Sequence, residues 1–194
     1  MRAAGAAGKN RTGDEIMYIS EVMTSAPEDE RGALETKVYS ELERLNIKYE
    51  RVDNDSVETM EECVEISDKL GAEIRKTIVC CNRQKTDYYL VILPANKRFD
   101  SKLFAAMMRT ARVSFASAED MESLIGLTPG EASVMGILND PEGKIKVVID
   151  KAVADAEWFA CNPGANTTHL RFKTRQLINT FLPAEKHKPE IIML

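Results

Sequence analysis

The sequence predicts an α+β fold, a single domain with a mixed β-sheet flanked by helices. Three observations lead there. The chain has 194 residues, a length that suits one domain and buries a real core without staples. Its apolar residues follow helical spacing in some stretches and strand alternation in others, without the strict succession of βαβ units. The composition, 44% hydrophobic and 29% charged, is that of an ordinary soluble globular domain, and no apolar run approaches the ~18–20 residues of a membrane span.

Residues 1–33 read differently from the rest. Small residues lead to an acidic cluster, Glu28, Asp29 and Glu30, followed by Gly32, with a short amphipathic stretch from Ile16 to Met23. We expect a poorly ordered extension or a weakly docked helix there, ahead of a domain spanning residues 34–194. Leu34, Val38, Leu42 and Leu45 recur at helical spacing up to Asn46, and Ile47 to Val52 alternates as a strand. Thr59-Met-Glu-Glu62 is a capping box ahead of Cys63, Val64, Ile66 and Leu70, and Gly71 stops that helix. Thr77–Cys81 and Tyr88–Leu93 read as strands joined by the polar turn Asn82–Asp87, hence a hairpin, which Pro94 closes.

Asp100 to Met108 reads as a helix whose Leu, Phe and Met serve core packing, and Ser117 opens a short helix ending at Gly126. Residues 127–138 form a loop punctuated by Gly and Pro, and Pro141-Glu-Gly-Lys144 turns into the strand Ile145–Ile149. Trp158–Cys161 is strand-like, Asn162-Pro163-Gly164 turns the chain, and Thr167–Phe172 is a further strand. Thr174–Leu182 reads as a helix and Glu190–Met193 as a final short strand.

The cysteines are Cys63, Cys80, Cys81 and Cys161, without a C-x-x-C pair. With His169 and His187 the only imidazoles, no zinc-binding spacing exists, and we expect no metal site. Buried free thiols in a reducing compartment are the expectation, and residues 1–15 lack the apolar core of a secretory signal, which points to the cytoplasm.

The formal net charge of −5 argues against a protein that grips nucleic acid over its whole surface. The charge is unevenly spread, however. Residues 69–112 carry ten basic and three acidic side chains, whereas residues 1–68 carry eight basic and seventeen acidic ones. Such a band is either a solvated face or a local patch for a phosphate-bearing ligand of small footprint.

Lys76 lies inside that band, where a helix end passes into a strand in Gly71-Ala-Glu-Ile-Arg-Lys76-Thr-Ile-Val79. The hairpin that follows ends in Leu-Pro-Ala-Asn-Lys-Arg98. Further along come Arg112-Val-Ser-Phe-Ala116, then Thr128-Pro-Gly130 with Ser133, Gly136 and Asn139-Asp140, then Cys161-Asn-Pro163 with Asn166-Thr-Thr168, and finally Lys188-Pro-Glu-Ile-Ile192. In this order the stretches resemble the YbaK/prolyl-tRNA synthetase-associated editing-domain family, in its free-standing alanyl-tRNA(Pro) deacylase branch. The resemblance covers roughly residues 34–194.

The resemblance implies an enzyme that hydrolyses the ester of mischarged tRNA(Pro), alanyl-tRNA(Pro) foremost, without a cofactor. It implies the acceptor end of that tRNA and prolyl-tRNA synthetase as partners, and no membrane. Such a proofreader is needed because one small side chain supplies only ~1–3 kcal/mol of discrimination. By the same resemblance Lys76 is the catalytic residue, holding the terminal phosphate or positioning water. Thr77, Gly130, Ser133, Gly136, Asn162, Pro163, Asn166 and Thr167 form the substrate-binding set, with glycine backbone N–H groups near the ester carbonyl. The substrate's ribose hydroxyl helps to activate water, in keeping with the lack of Ser-His-Asp or Cys-His spacing. His169 and His187 read as surface or core histidines.

Three positions depart from the branch: Thr77 stands where Asn is usual, Asn162 where His is usual, and Val134 where Pro is usual. They leave two alternatives open, a deacylase of cysteinyl- or another aminoacyl-tRNA, and a non-catalytic relative that binds tRNA or synthetase.

Overall fold

The structure, a computed structural model, describes residues 17–194. The expected hairpin is formed by β2 (Lys76–Asn82) and β3 (Tyr88–Leu93), with Lys76 opposite Leu93 and Cys81 opposite Tyr88. Its turn is tied by the Asn82 side chain, which accepts from Thr86 N and donates to Asp87, both at 2.9 Å. β4 (Val113–Phe115) adds antiparallel to β2, while β5 (Ile145–Asp150) and β8 (Glu190–Ile192) extend the other side in parallel. The order β4-β2-β3-β5-β8 is therefore a mixed sheet.

A second sheet accompanies it. β1 (Tyr49–Asp53), β6 (Trp158–Cys161) and β7 (Thr168–Lys173) pair antiparallel in the order β1-β7-β6. Alternation along a strand reports that one face is covered but not by which partner, so this division was not legible in the sequence. The sheets join at Ile74, just before β2, which bridges Ala160 of β6 while Arg75 N donates to Ala160 O at 2.9 Å.

The main core fills the space between the sheets. Val38 and Leu42 of α1 (Ala33–Arg44) pack there with Leu90, Ile92, Val147 and Ile149 of the mixed sheet and with Phe159, Leu170 and Phe172 of the smaller one. Each such side chain contributes about 1.5–3 kcal/mol on burial. α2 (Cys63–Leu70) sets Cys63, Ile66 and Leu70 against Val57, Ile74 and Ala160 near the junction of the sheets. The Thr59–Glu62 box forms, with Glu62 Oε2 accepting from Thr59 N at 3.0 Å and Thr59 Oγ1 from Glu62 N at 3.3 Å. On the outer face of the mixed sheet, α3 (Ser101–Met107) buries Phe104 edge-on to Tyr89. α4 (Ala118–Ile125) has the reciprocal Ser117–Asp120 cap and ends at Gly126, φ +67°.

Several expectations need correction. Residues 1–16 of the presumed extension lie outside the described residues. Residues 17–32, expected to be poorly ordered or weakly helical, instead run along β1, with bridges Ile19–Asn54 and Met23–Arg51. They cover what would otherwise be an open sheet edge. Arg31 anchors the segment: its guanidinium bonds both oxygens of Asp53 (3.1 and 3.0 Å), Glu35 (3.3 Å) and Thr168 Oγ1 (2.9 Å).

Within the 127–138 loop the chain forms a buried 3₁₀ turn, Val134–Asn139, capped by Ser133 Oγ, which accepts from Met135 N at 3.3 Å. The strand expected over Ile145–Ile149 extends to Asp150, which also caps a short helix, α5 (Lys151–Ala154), its Oδ1 accepting from Ala152 N at 2.8 Å. The helix expected over Thr174–Leu182 runs to Ala184 and contains a π turn, Leu177–Phe181, just before Pro183, whose missing N–H cannot serve the preceding turn.

Candidate active site

Where the two sheets join, a cavity of about 220 Å³ opens. Its floor is apolar and buried, built from Val57, Cys63, Ile74 and Cys161. Its rim is exposed and polar, with Glu58, Thr59 and Gly130. Four segments far apart in sequence therefore meet: the β1–α2 connection, the entry to β2, the Gly130 loop, and the β6–β7 turn with the start of β7.

Of the nine residues expected at the site, five line this cavity: Lys76, Thr77, Gly130, Asn162 and Asn166. Lys76 is half-buried at the first position of β2, and its ammonium donates to the carbonyl of Lys97. Burial lowers its pKa, against the opposing charge of Glu61. A partly desolvated cation acts over a longer range than one in water. Next to it, Thr77 is buried and its Oγ1 has no hydrogen-bond partner among the described residues.

Gly130 has φ +95°, while a Cβ there would meet nothing within 4 Å. Backbone conformation rather than space demands the glycine. The loop is braced from the β6–β7 side: Asn166 Nδ2 donates to Gly130 O and Asn162 Nδ2 to Glu131 O, both at 3.4 Å, and Ser133 Oγ donates to Asn162 O at 2.6 Å. Asn162 Oδ1 also accepts from Gly164 N at 2.9 Å. Both asparagine side chains thus shape the rim. The N–H groups of Gly130 and Ala132 have no acceptor among the described residues.

The other four expected residues do not line the cavity. Ser133 is fully buried as a brace and cap. Gly136 sits inside the 3₁₀ turn with its N–H donating to Ser133 O at 3.1 Å, so that donor is already used. A Cβ there would lie 2.8 Å from Ile125 Cβ, which makes it a packing glycine against α4. Pro163 is buried in the turn, and Thr167 offers its carbonyl to Asn54 N at 2.9 Å.

His169, expected as a surface or core histidine, is buried, and it stands at the cavity wall on β7. Its Nδ1 lies 2.9 Å from Asn54 Oδ1, while Asn54 Nδ2 donates to the carbonyls of Asp55 (2.7 Å) and Asn166 (2.9 Å). With the amide so oriented, Oδ1 only accepts, Nδ1 carries the proton, and Nε2 keeps its lone pair. Burial pulls this histidine down to about 4, so it is neutral at ordinary pH. The available sequence signal was its position two residues beyond Asn166-Thr167. The partner that gives it meaning, Asn54, is more than a hundred residues away. The cavity thiols are inert, since burial raises Cys63 to about 11 and Cys161 to about 12. Among the described residues no helix is long and apolar enough to cross a membrane.

Residues 54–180, the stretch that builds the cavity, match the sequence profile described as the aminoacyl-tRNA editing domain. The chain is 28% identical over 130 residues to a protein named prolyl-tRNA editing protein ProX from Acetoanaerobium sticklandii, covering 67% of this chain and 79% of that one. Two solved structures share the fold. One, of the protein APE2540, has a TM-score of 0.62 and 19% identity over 80% of this chain and 97% of that chain. The other, of a candidate trans-editing enzyme for prolyl tRNA synthetase, has a TM-score of 0.59 and 16% identity over 85% of this chain and 99% of that chain. With the profile spanning more than half of its residues and an α+β fold to match, the chain belongs to the aminoacyl-tRNA editing domain family.

Proposed function

We propose that the protein is a trans-acting deacylase that hydrolyses the ester of mischarged tRNA(Pro), with alanyl-tRNA(Pro) its principal substrate. The observation that carries this reading is the cavity itself: about 220 Å³, apolar at the floor, with the Lys76 ammonium, the Glu73-paired Arg75 and the unpartnered Thr77 hydroxyl around it. In this reading a small aliphatic side chain lies against Val57, Cys63 and Ile74. The name of the Acetoanaerobium sticklandii relative supports the prolyl-tRNA context.

In this reading Lys76 holds the phosphate of the terminal nucleotide as a compact cationic donor. Gly130 and Ala132 N–H groups face the ester oxygen on which charge develops. His169, with a pKa of about 4, is too weak a base to take a proton from water; its Nε2 instead accepts a hydrogen bond from the α-ammonium of the aminoacyl group. With both cavity thiols protonated as well, the ribose hydroxyl beside the ester helps to activate the attacking water. The partner is the acceptor end of tRNA(Pro), and prolyl-tRNA synthetase is the enzyme whose errors it clears, in the cytoplasm.

The test is initial deacylation rates on Ala-, Cys- and Pro-tRNA(Pro). Alanyl-tRNA should be cleared fastest and prolyl-tRNA spared. Faster cysteinyl clearance moves the substrate assignment, and tRNA binding without any clearance leaves a non-catalytic binder and ends the enzyme reading.

His169→Leu should cut kcat/KM on alanyl-tRNA by about 10–100-fold, the worth of a charge-assisted hydrogen bond. The deaminated lactyl ester isolates the role, because it lacks the ammonium. The wild-type preference for alanyl over lactyl ester should collapse in the variant; an unchanged ratio would show that His169 only supports the fold.

A further inference from the structure

Ten basic residues lie between positions 69 and 112, and the structure sorts them. Lys69, Arg75, Lys85 and Lys97 are ion-paired to Glu21, Glu73, Asp120 and Asp150, and Lys76 is bound to a carbonyl. Arg83, Arg98, Lys102, Arg109 and Arg112 are exposed and have no ion-pair partner among the described residues. All five lie around α3 and the β4 edge of the mixed sheet.

The same region holds an open hollow of about 830 Å³ whose lining includes Arg83, Arg112, Ser114, Phe99 and Phe115. Phe115 is 66% exposed, among the most exposed large apolar side chains described. Its ring stands 6.0 Å from that of Phe99, which packs on the core below. An exposed aromatic on an edge strand is a liability in a protein that has no use for it.

Register connects this hollow to the cavity. Phe115 is opposite Cys80 on β2, and alternation puts the side chains of Lys76, Ile78 and Cys80 on one face. Phe115 is thus on the same face of the sheet as Lys76, about 13 Å along the strand at ~3.3 Å per residue. β4 stops at Phe115, so among the described residues the edge of β2 from Lys76 to Ile78 has no strand partner on that side.

We infer that this face binds the unpaired 3′ segment of the tRNA just upstream of its terminal nucleotide, with a base stacked on Phe115 and phosphates on Arg83 and Arg112. The inference rests on the deacylase reading of the cavity and specifies how that substrate is held. Single-stranded RNA ends present unstacked bases that aromatic side chains receive, and cations along the path take up the backbone. The net acidity of the rest of the chain confines the contact to this strip.

Two measurements test it. The first is binding of an uncharged CCA-ended oligoribonucleotide by fluorescence anisotropy, independent of hydrolysis. Phe115→Ala should weaken binding about tenfold, and Phe115→Trp should restore it. Replacing Arg83 and Arg112 together by Ala should flatten the salt dependence by between one and two in log–log slope. The second compares kcat/KM on aminoacyl-tRNA with that on a 3′-aminoacyl adenosine, which cannot reach the hollow. Phe115→Ala should depress the first and leave the second unchanged.

Unaltered oligonucleotide binding in Phe115→Ala, or equal losses on both substrates, overturns the inference. A wild type that binds the oligonucleotide through Phe115 yet hydrolyses nothing upholds this surface and removes the deacylase reading. A wild type that hydrolyses aminoacyl-tRNA with Phe115 irrelevant does the reverse.

Discussion

Lys76→Ala leaves the protein folded and lowers deacylation of alanyl-tRNA(Pro) by about 100-fold, the cost of misplacing the ester once the phosphate beside it is no longer held. The structural side is mild. Lys76 is half-buried at the start of β2, its backbone pairing with Leu93 does not involve the side chain, and the hydrogen bond lost to the Lys97 carbonyl is worth about 1 kcal/mol. The chemical side is large because Lys76, unlike its cavity neighbour Arg75, which is paired with Glu73, has no ion pair among the described residues, and burial has partly stripped its ammonium of water. Lys76→Arg is not expected to rescue, since a planar guanidinium replaces a compact point charge in a small space. Single-turnover rates beside thermal melting check this. A variant that melts like the wild type and still deacylates at the wild-type rate would remove Lys76 from the mechanism.

Arg31→Ala produces the largest loss of stability, about 3–5 kcal/mol, the cost of leaving buried charges without their partner. The guanidinium is 10% exposed and bridges Asp53 and the nearly inaccessible Glu35. Burial alone would raise the Asp53 carboxyl; the hydrogen bond from Arg31 and the charges of Arg51 and Arg31 overcome it and hold the group below its usual range. Asp53 therefore adds stability above the ordinary carboxylate pKa of about 3.9, lost as pH falls through the folded value. Glu35 runs the other way: burial raises it in spite of Arg31, so its ionisation costs stability as pH rises. Without Arg31 both carboxyls move up, the folded state binds more protons than the unfolded one, and stability falls with rising pH. Urea unfolding at pH 4 and pH 7 should show a wider gap between wild type and variant at pH 7. A gap that widens in acid would contradict the assignment.

Most of the element types could be read from local sequence. Gly71 and Gly126 end their helices in left-handed conformation, Thr59 and Glu62 cap reciprocally, and the strand Trp158–Cys161 begins and ends where expected. These features depend on neighbours within four residues, which the sequence displays directly. Gly136, which the resemblance places in the substrate-binding set, packs against Ile125 and does not line the cavity. A glycine in a Gly- and Pro-rich stretch signals close approach, but whether to a ligand or to Ile125 is decided by the packing of α4.

By itself the sequence determined the α+β class, the hairpin carrying Lys76, the family resemblance and the placement of excess positive charge in residues 69–112. Tertiary structure alone decided that the strands divide into two sheets, that the cavity opens at their junction, and that residues 17–32 cover the edge of β1. It also decided that Asn54 gives His169 a defined tautomer at the cavity wall, and which five cations around Phe115 have no ion-pair partner among the described residues. The physical reason is range. Periodicity and capping are set by the chain's own near neighbours, whereas a lone pair facing a cavity or an uncompensated charge depends on which distant segment occupies the space beside it.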